Sequence, residues 1–210
     1  MTYEPGKERI AVVADIHGNL GALEVVLADL EARGCDRIVC LGDMVDGGRE
    51  NDEVVRTLMA RGATTVLGNH DEFNGLTLNE DVQAYIDSLP RQIVEGDVVY
   101  THVSPREFAV KVLTSDDAWR IFREVPYRLT FVGHSHLSYV FGERSERYGA
   151  TTTHPFEFNR PYALDPDDRY VIGVGAVGYP RDGLRKIRYG IYDQHAQTIE
   201  VRALDGPLLL

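Results

Sequence analysis

Five short clusters of Asp, His and Asn carry most of the chemistry available to this sequence. They are Asp15-Ile16-His17 with Gly18-Asn19 following, Gly42-Asp43-Met44-Val45-Asp46-Gly47, Gly68-Asn69-His70-Asp71, Thr101-His102, and Gly133-His134-Ser135-His136. Each by itself has an ordinary reading. An Asp-x-His pair arises by chance, Gly-Asp after a strand is a common turn, and Asn-His-Asp can cap a helix. His102 can be a satisfied core histidine, and His134 and His136 can be surface side chains on a hairpin. The conjunction changes this: of 7 histidines, only His154 and His195 fall outside the clusters. Side chains of these types suit two dications about 3.5 to 4 Å apart, because a carboxylate such as Asp43 can offer one oxygen to each. Imidazoles complete the shells and leave positions for water, and Asn69 adds a neutral amide oxygen. Without a thiolate, such a set favours Mn, Fe, Co, Ni or Zn over Cu(I) or an iron–sulfur cluster.

The elements that must position these clusters follow from hydrophobic periodicity. Residues Ile10 to Ala14 read as a strand, and a helical stretch follows with Leu20, Leu23, Val26, Leu27 and Leu30 on one face, closing at Gly34. The unit recurs with a strand over Arg37 to Leu41, a helix over Asp52 to Arg61 and a strand over Ala63 to Leu67, which predicts a parallel sheet. A further helix ends near Pro90, and Gly96-Asp97 predicts a hairpin between Gln92 to Glu95 and Val98 to His102. Beyond a helix over Asp116 to Arg123, strands dominate: Leu129 to Val132, Ser138 to Phe141, Arg169 to Val174, Arg188 to Tyr192 and Thr198 to Arg202. Asp165-Pro166-Asp167-Asp168 reads as a surface turn. The clusters thus fall at strand ends, where open α/β sheets place their ligands. No repeat or linker divides residues 1–210, so a single domain is expected.

Composition narrows the function classes. With 33 acidic and 22 basic residues the net charge is −11, which opposes stable binding to nucleic-acid backbones or anionic membranes. An acidic protein acting on an anionic substrate needs local positive charge, and bound cations supply it. Cys35 and Cys40 have no disulfide or C-x-x-C spacing and read as reduced and buried. Residues Met1 to Arg9 lack the apolar core of a secretory signal, and no apolar run approaches the ~20 residues of a membrane span. A cytoplasmic location is expected.

The ordered set D-x-H, G-D-x-x-D, G-N-H-D, lone His and G-H-x-H resembles the calcineurin-like metallophosphoesterases, especially their small bacterial and archaeal members, from Ile10 to His136. The resemblance implies a four-layer α-β-β-α sandwich of two mixed β-sheets flanked by helices. It implies two divalent metal ions, Mn first among them, one held by Asp15, His17, Asp43 and His136 and the other by Asp43, Asn69, His102 and His134. His70 would be the catalytic residue beside the metals, oriented by Asp46, although Asp46 reads equally as a turn carboxylate bonding a nearby amide. The implied reaction is hydrolysis of a phosphodiester or phosphomonoester of a small molecule or nucleotide by a hydroxide bridging the metals.

Several positions depart from the family pattern. Gly47-Gly48 follows Asp46 and displaces Arg49 by two positions from the Arg-Gly of Ser/Thr protein phosphatases, which weakens that alternative. Val103 stands where small members carry Gly after the lone His. The loop from Gly175 to Gly183 resembles a family loop, but Gly173 and Val174 replace its asparagine and proline; it reads as structural first, with Arg181 as its candidate for touching substrate anions. A non-catalytic scaffold on the same fold is the other alternative, and His70 argues against it, since a scaffold has no use for a catalytic histidine. Phe73, Tyr85, Phe108 and Trp119, in segments that leave motif ends, read as packing before stacking platforms. The apolar stretch Pro207 to Leu210 can dock on its own core or on a neighbouring subunit, which leaves a homo-oligomer open.

Overall fold

A computed structural model describes residues 8–106, 110–145 and 150–209 of the chain, so Phe108 and Leu210 lie outside the described residues. The first half runs β1 (Arg9–Val13), α1 (Leu20–Ala32), β2 (Arg37–Cys40), α2 (Asn51–Ala60), β3 (Thr64–Thr65), α3 (Asn69–Glu72), α4 (Glu80–Asp87), β4 (Gln92–Glu95) and β5 (Val98–Thr101). It continues with α5 (Ser115–Glu124), β6 (Leu129–Val132), β7 (Ser138–Gly142), β8 (Thr152–Thr153), β9 (Tyr162–Ala163), β10 (Tyr170–Val174), β11 (Ile187–Asp193) and β12 (Thr198–Leu204). The strands form two six-stranded sheets, ordered β3-β2-β1-β11-β12-β9 and β4-β5-β6-β10-β7-β8. Both are mixed. In the first, β1, β2 and β3 are parallel and β11 joins β1 antiparallel. In the second, β5, β6 and β10 are parallel, while β4 and β7 run against them.

Alternation along each central strand assigns its side chains to two different cores. Ile10, Val12 and Ala14 join Val39, Leu41, Phe131 and Ile172 in the core between the sheets. Ala11 and Val13 point the other way, into a core with Leu23, Val26 and Leu30 of α1 and Val54, Val55 and Leu58 of α2. A third core puts Ala118, Ile121 and Phe122 of α5 against Val132, Phe141 and Val171. Three apolar interfaces separate four layers, helix, sheet, sheet and helix, and a strand buried on both faces is apolar throughout instead of alternating with polar residues.

Local chemistry sets the helix ends. The Asn19 side chain accepts from the Ala22 amide and caps α1, and the chain leaves the helix through Gly34 at φ +65°. Thr114 and Asp117 form a capping box at the start of α5. The α1 face is fully buried at Leu23 and Val26.

Three sequence expectations need correction, and two strands were not foreseen. Ala63 to Leu67 pairs as a strand only at Thr64–Thr65, because after the Val66 amide bonds the Cys40 carbonyl the Leu67 amide turns to that of Pro90. The two-residue strands β8 and β9 are too short to leave a period in the sequence. Both cysteines are free, but only Cys40 is buried, since Cys35 sits in the turn after α1. Asp168, expected on a surface turn, is buried, its carboxylate accepting from the Arg144 and Arg169 amides. The described part of the 207–210 stretch docks on its own chain: Asn19 donates to the Pro207 carbonyl and Leu208 packs on the α1 core.

Candidate metal centre

Parallel neighbours end on the same side of a sheet, so the turns after β1 and β2 lie together, as do those after β5 and β6. The Ile16 amide bonds the Asp43 carbonyl at 2.8 Å and the Gly133 amide that of His102 at 3.0 Å. The two pairs meet across the sheets, where the His134 amide donates to Asp15 Oδ1 at 3.2 Å. The turns are sharp. Of nine non-glycine residues with positive φ among the described residues, six are Asp15, His17, Asp43, Asp46, His134 and His136. Backbone in this region costs energy for residues with a Cβ, and its concentration at one place is a feature of functional sites.

The first grouping is Asp15, His17, Asp43 and His136, whose ligand atoms all lie within 4.8 Å of one another. Both histidines are oriented from behind. His17 Nδ1 lies 2.7 Å from the Asp46 carbonyl oxygen and His136 Nδ1 lies against that of Tyr179. A carbonyl only accepts, so each Nδ1 carries the proton and each Nε2 presents a lone pair. Those two Nε2 atoms face each other at 3.3 Å, with Asp15 Oδ1 3.3 Å from His136 Nε2 and Asp43 Oδ2 3.8 Å from His17 Nε2. Asp15 Oδ2 is buried without a hydrogen-bond partner, and Asp43 Oδ2 is buried with His102 Nε2 3.1 Å away. Acceptors facing acceptors in a buried space fit a bound cation, or protons in its place.

Asp43, His102 and His134 form the second grouping. Here His102 Nδ1 bonds the Leu41 carbonyl at 2.7 Å, leaving Nε2 bare 3.1 Å from Asp43 Oδ2 and 3.0 Å from Asn69 Oδ1. His134 Nδ1 lies 2.7 Å from the same Asn69 oxygen. Asn69 therefore completes this set at the place the sequence gives it. All seven expected metal-binding side chains come together, with Asp43 common to both groups.

Without a cation, the charges in this space have to be balanced by protons. Burial, with a further push from the Asp43 charge, raises the Asp15 carboxyl to about 8. Burial also opposes charge on Asp43, yet the hydrogen bond and charge of His102 and the His70 amide hold it at about 2. Burial opposes charge on His102 as well, but the hydrogen bond and charge of Asp43 raise it to about 9. Burial, then the charge of His102, lowers His134 to about 4. Neutral imidazoles and ionised carboxylates are the forms that bind a divalent ion.

His70 stands at the rim. Its amide donates to Asp43 Oδ1 at 2.8 Å, and its Nδ1 is 2.7 Å from Asp46 Oδ2. The Asp46 carboxylate therefore bonds the histidine, and it is Asp46's own amide that bonds the Asn51 side chain. Asp71 was quoted in its motif but given no role by the sequence. It is buried and receives the amides of Asp43 and Met44 at 2.8 Å, Gly68 at 2.9 Å and Val45 at 3.3 Å. It thereby clamps the shared ligand's turn to the start of α3. Gly68 allows the approach, since a Cβ there would lie 2.1 Å from the Asp43 nitrogen.

The loop from Gly175 to Gly183 borders the two clusters. Its Val177 and Gly178 amides bond the Ala14 and Asp15 carbonyls at 2.9 Å, and Tyr179 holds His136. Arg181 lines a cavity of about 280 Å³ with His17, Asp46, His70, Tyr179 and Leu209. Sequence reading assigned Tyr179 and Leu209 no place at this cavity, because one acts through its carbonyl and the other arrives from the far end of the chain. Of the aromatics, Tyr85 packs inward and bonds Thr65, Trp119 lies under Arg123 on α5, and Phe73 is 73% exposed beside Asn69. A second cleft of about 680 Å³ opens there, past Asn69 and His102 toward Arg91 and Arg106.

Comparison with known proteins agrees with this geometry. An uncharacterised protein of Methanocaldococcus jannaschii is 33% identical over 221 residues, covering 93% of this chain and 86% of that protein. The crystal structure of a metallophosphoesterase from Sphaerobacter thermophilus superposes with a TM-score of 0.85 at 29% identity, over 94% of this chain and 89% of that one. An archaeal phosphodiesterase shares the fold at a TM-score of 0.54 and 16% identity, over 93% and 99%. The sequence profile of the calcineurin-like phosphoesterases matches residues 8–96, the stretch that supplies Asp15, His17, Asp43, Asn69 and His70. With that match and a relative similar along nearly the whole chain, the protein belongs to the calcineurin-like phosphoesterase family.

Proposed function

We propose that this protein is a cytoplasmic hydrolase of phosphodiester or phosphomonoester bonds in a small molecule or nucleotide. In this reading Asp15, His17, Asp43 and His136 hold one divalent cation and Asp43, Asn69, His102 and His134 a second, with Mn as the first choice and Fe, Co, Ni or Zn as others. The observation that carries it is the pair of acceptor-only clusters sharing Asp43, with the His70–Asp46 pair 2.7 Å apart beside them.

Bound divalent ions supply Lewis acidity toward the phosphoryl oxygens and lower the pKa of water. The chain's own residues do the rest. Asp46 accepts the Nδ1 proton of His70 and so fixes which nitrogen faces the substrate. His70 Nε2, when protonated, delivers its proton to the departing oxygen as the bond to phosphorus breaks and water adds on the opposite side. Arg181 at the cavity wall neutralises phosphate oxygens. No helix among the described residues is long and apolar enough to cross a membrane. The scaffold alternative gives the His70–Asp46 pair no task.

Hydrolysis of p-nitrophenyl phosphate and bis-p-nitrophenyl phosphate by metal-stripped protein, before and after Mn²⁺, tests the reading. Turnover should appear with metal, fall by about 10² to 10⁴ in His70→Ala, and leave metal content unchanged in that variant. Full activity of His70→Ala, or turnover indifferent to metal, sinks it.

A further inference from the structure

The cavity over His70 does not end at Arg181. A second hollow of about 410 Å³ shares Tyr179, Arg181 and Leu209 with it and continues to Pro180, Arg185 and Leu208. The two make one groove running from His70 to Arg185, with apolar sides from the Tyr179-Pro180 turn and the Leu208-Leu209 stretch.

Its charge is unusual for a protein of net charge −11. Among the described residues, no carboxylate pairs with Arg181 or Arg185, although acids lie close in sequence. Asp182 is drawn inward, its Oδ2 2.7 Å from the guanidinium of Arg188, a side chain 1% exposed that lies 4.3 Å from the Phe158 ring centre. Asp205 goes to Lys186. Arg181 instead rests over the Tyr179 ring at 5.5 Å. The cleft on the other flank shows the opposite arrangement. There Arg91 is bound by Glu72 at 2.6 Å and Arg106 by both oxygens of Glu124 at 2.6 Å, so its arginines are already neutralised. Both cavities offer two arginines, but among the described residues only this groove keeps them out of ion pairs, and the field of such charges attracts anions.

We propose that this groove is a subsite for a second anionic group on the leaving-group side of the substrate. The substrate class is a phosphate ester or anhydride whose leaving group carries a further phosphoryl group. The inference rests on the phosphoesterase reading for its direction: His70 marks the departing oxygen, and the remainder of the leaving group runs past Arg181 to Arg185. Hydrolysis then adds water to the attacked phosphorus and breaks its bond to the leaving oxygen. One proton goes to that oxygen and the other to solvent.

The test is calorimetric binding of inorganic tripolyphosphate and inorganic phosphate to Mn²⁺-loaded protein, at one fixed free Mn²⁺ concentration. Wild type is compared with Arg185→Asn and Arg185→Lys. Asn suits the left-handed backbone of Arg185, at φ 50°, and removes the charge, while Lys keeps it. Arg185→Asn should weaken tripolyphosphate by about threefold to tenfold, leave phosphate unchanged, and be largely rescued by Arg185→Lys. Metal chelation by the probe acts equally on all three proteins and cancels from the ratios. Unchanged tripolyphosphate affinity in Arg185→Asn, or an equal loss on phosphate, overturns the subsite. Turnover of p-nitrophenyl phosphate by the same preparations reads the parent function separately. If turnover persists without anion selectivity, only the subsite falls. If selectivity appears without turnover, the anion site stands and the phosphoesterase reading falls.

Discussion

The cluster of Asp15, His17, Asp43 and His136 and the cluster of Asp43, Asn69, His102 and His134 meet at one carboxylate, yet they are built differently. Every member of the first is buried and two are acids, whereas the second opens to solvent at His134 and Asn69 and substitutes an amide for the second acid. A divalent ion gains more from two carboxylates than from one, and more from a dry site than a wet one. The comparison teaches that two positions sharing a ligand need not be equivalent. In the proposed dinuclear reading, the first is the tighter holder, and the second is the exchangeable position at the mouth of the cleft lined by Asn69 and His102. Metal binding to stripped protein should therefore resolve into two steps.

The largest effect is expected from Asp43→Asn, which removes the one side chain that both clusters use. Both steps should be lost together, and turnover of bis-p-nitrophenyl phosphate should fall by at least about a hundredfold. Elemental analysis that still finds two tightly held ions would break the idea of a shared ligand. Next comes Asp71→Asn. The Asn oxygen can serve only part of the four amides, and its NH2 group would face donors, so the Asp43 turn loosens behind both clusters. Affinity should drop by about 10 to 100-fold at each step alike. A loss confined to one step would show that Asp71 does not act through Asp43. The smallest change, Asn69→Asp, sharpens the contrast by giving the second cluster its own acid. Its step should tighten by about tenfold and approach the first. An unchanged gap would mean that burial, not carboxylate count, separates the sites.

Much of this arrangement was legible beforehand because the relevant residues announce themselves by type. Asp15, Asp43, His102 and His134 follow strands buried almost throughout, and such a strand has few other uses for a metal-capable side chain just after it. The helix α1 was readable from its apolar spacing and its stop at Gly34, α5 was expected over Asp116 to Arg123, and their ends moved by a residue or two only. The strand β3 shrank because the Leu67 amide leaves the ladder for the Pro90 carbonyl, which is a tertiary demand. Asp71, Tyr179 and Leu209 escaped notice for another reason. Asp71 works on backbone amides, Tyr179 on His136 through a carbonyl 43 positions along the chain, and Leu209 by docking on Gly178. A backbone group has the same chemistry at every position, so no residue type flags the one that matters.

The sequence by itself determined the ligand inventory, the strands that carry it and the family whose pattern it matches. Only the tertiary structure decided which lone pairs face one another. His17, His102 and His136 can each offer a lone pair to a cation, as the proposed function requires, because the carbonyls of Asp46, Leu41 and Tyr179 each take the proton of one ring nitrogen. Those carbonyls come from the turns after β2 and β10 and from the residue after β2 itself. The Asp46 carbonyl reaches His17 between neighbouring turns of one sheet, but that of Leu41 reaches His102 only once the two sheets have packed face to face, and long-range packing of that kind has no local signature in the chain.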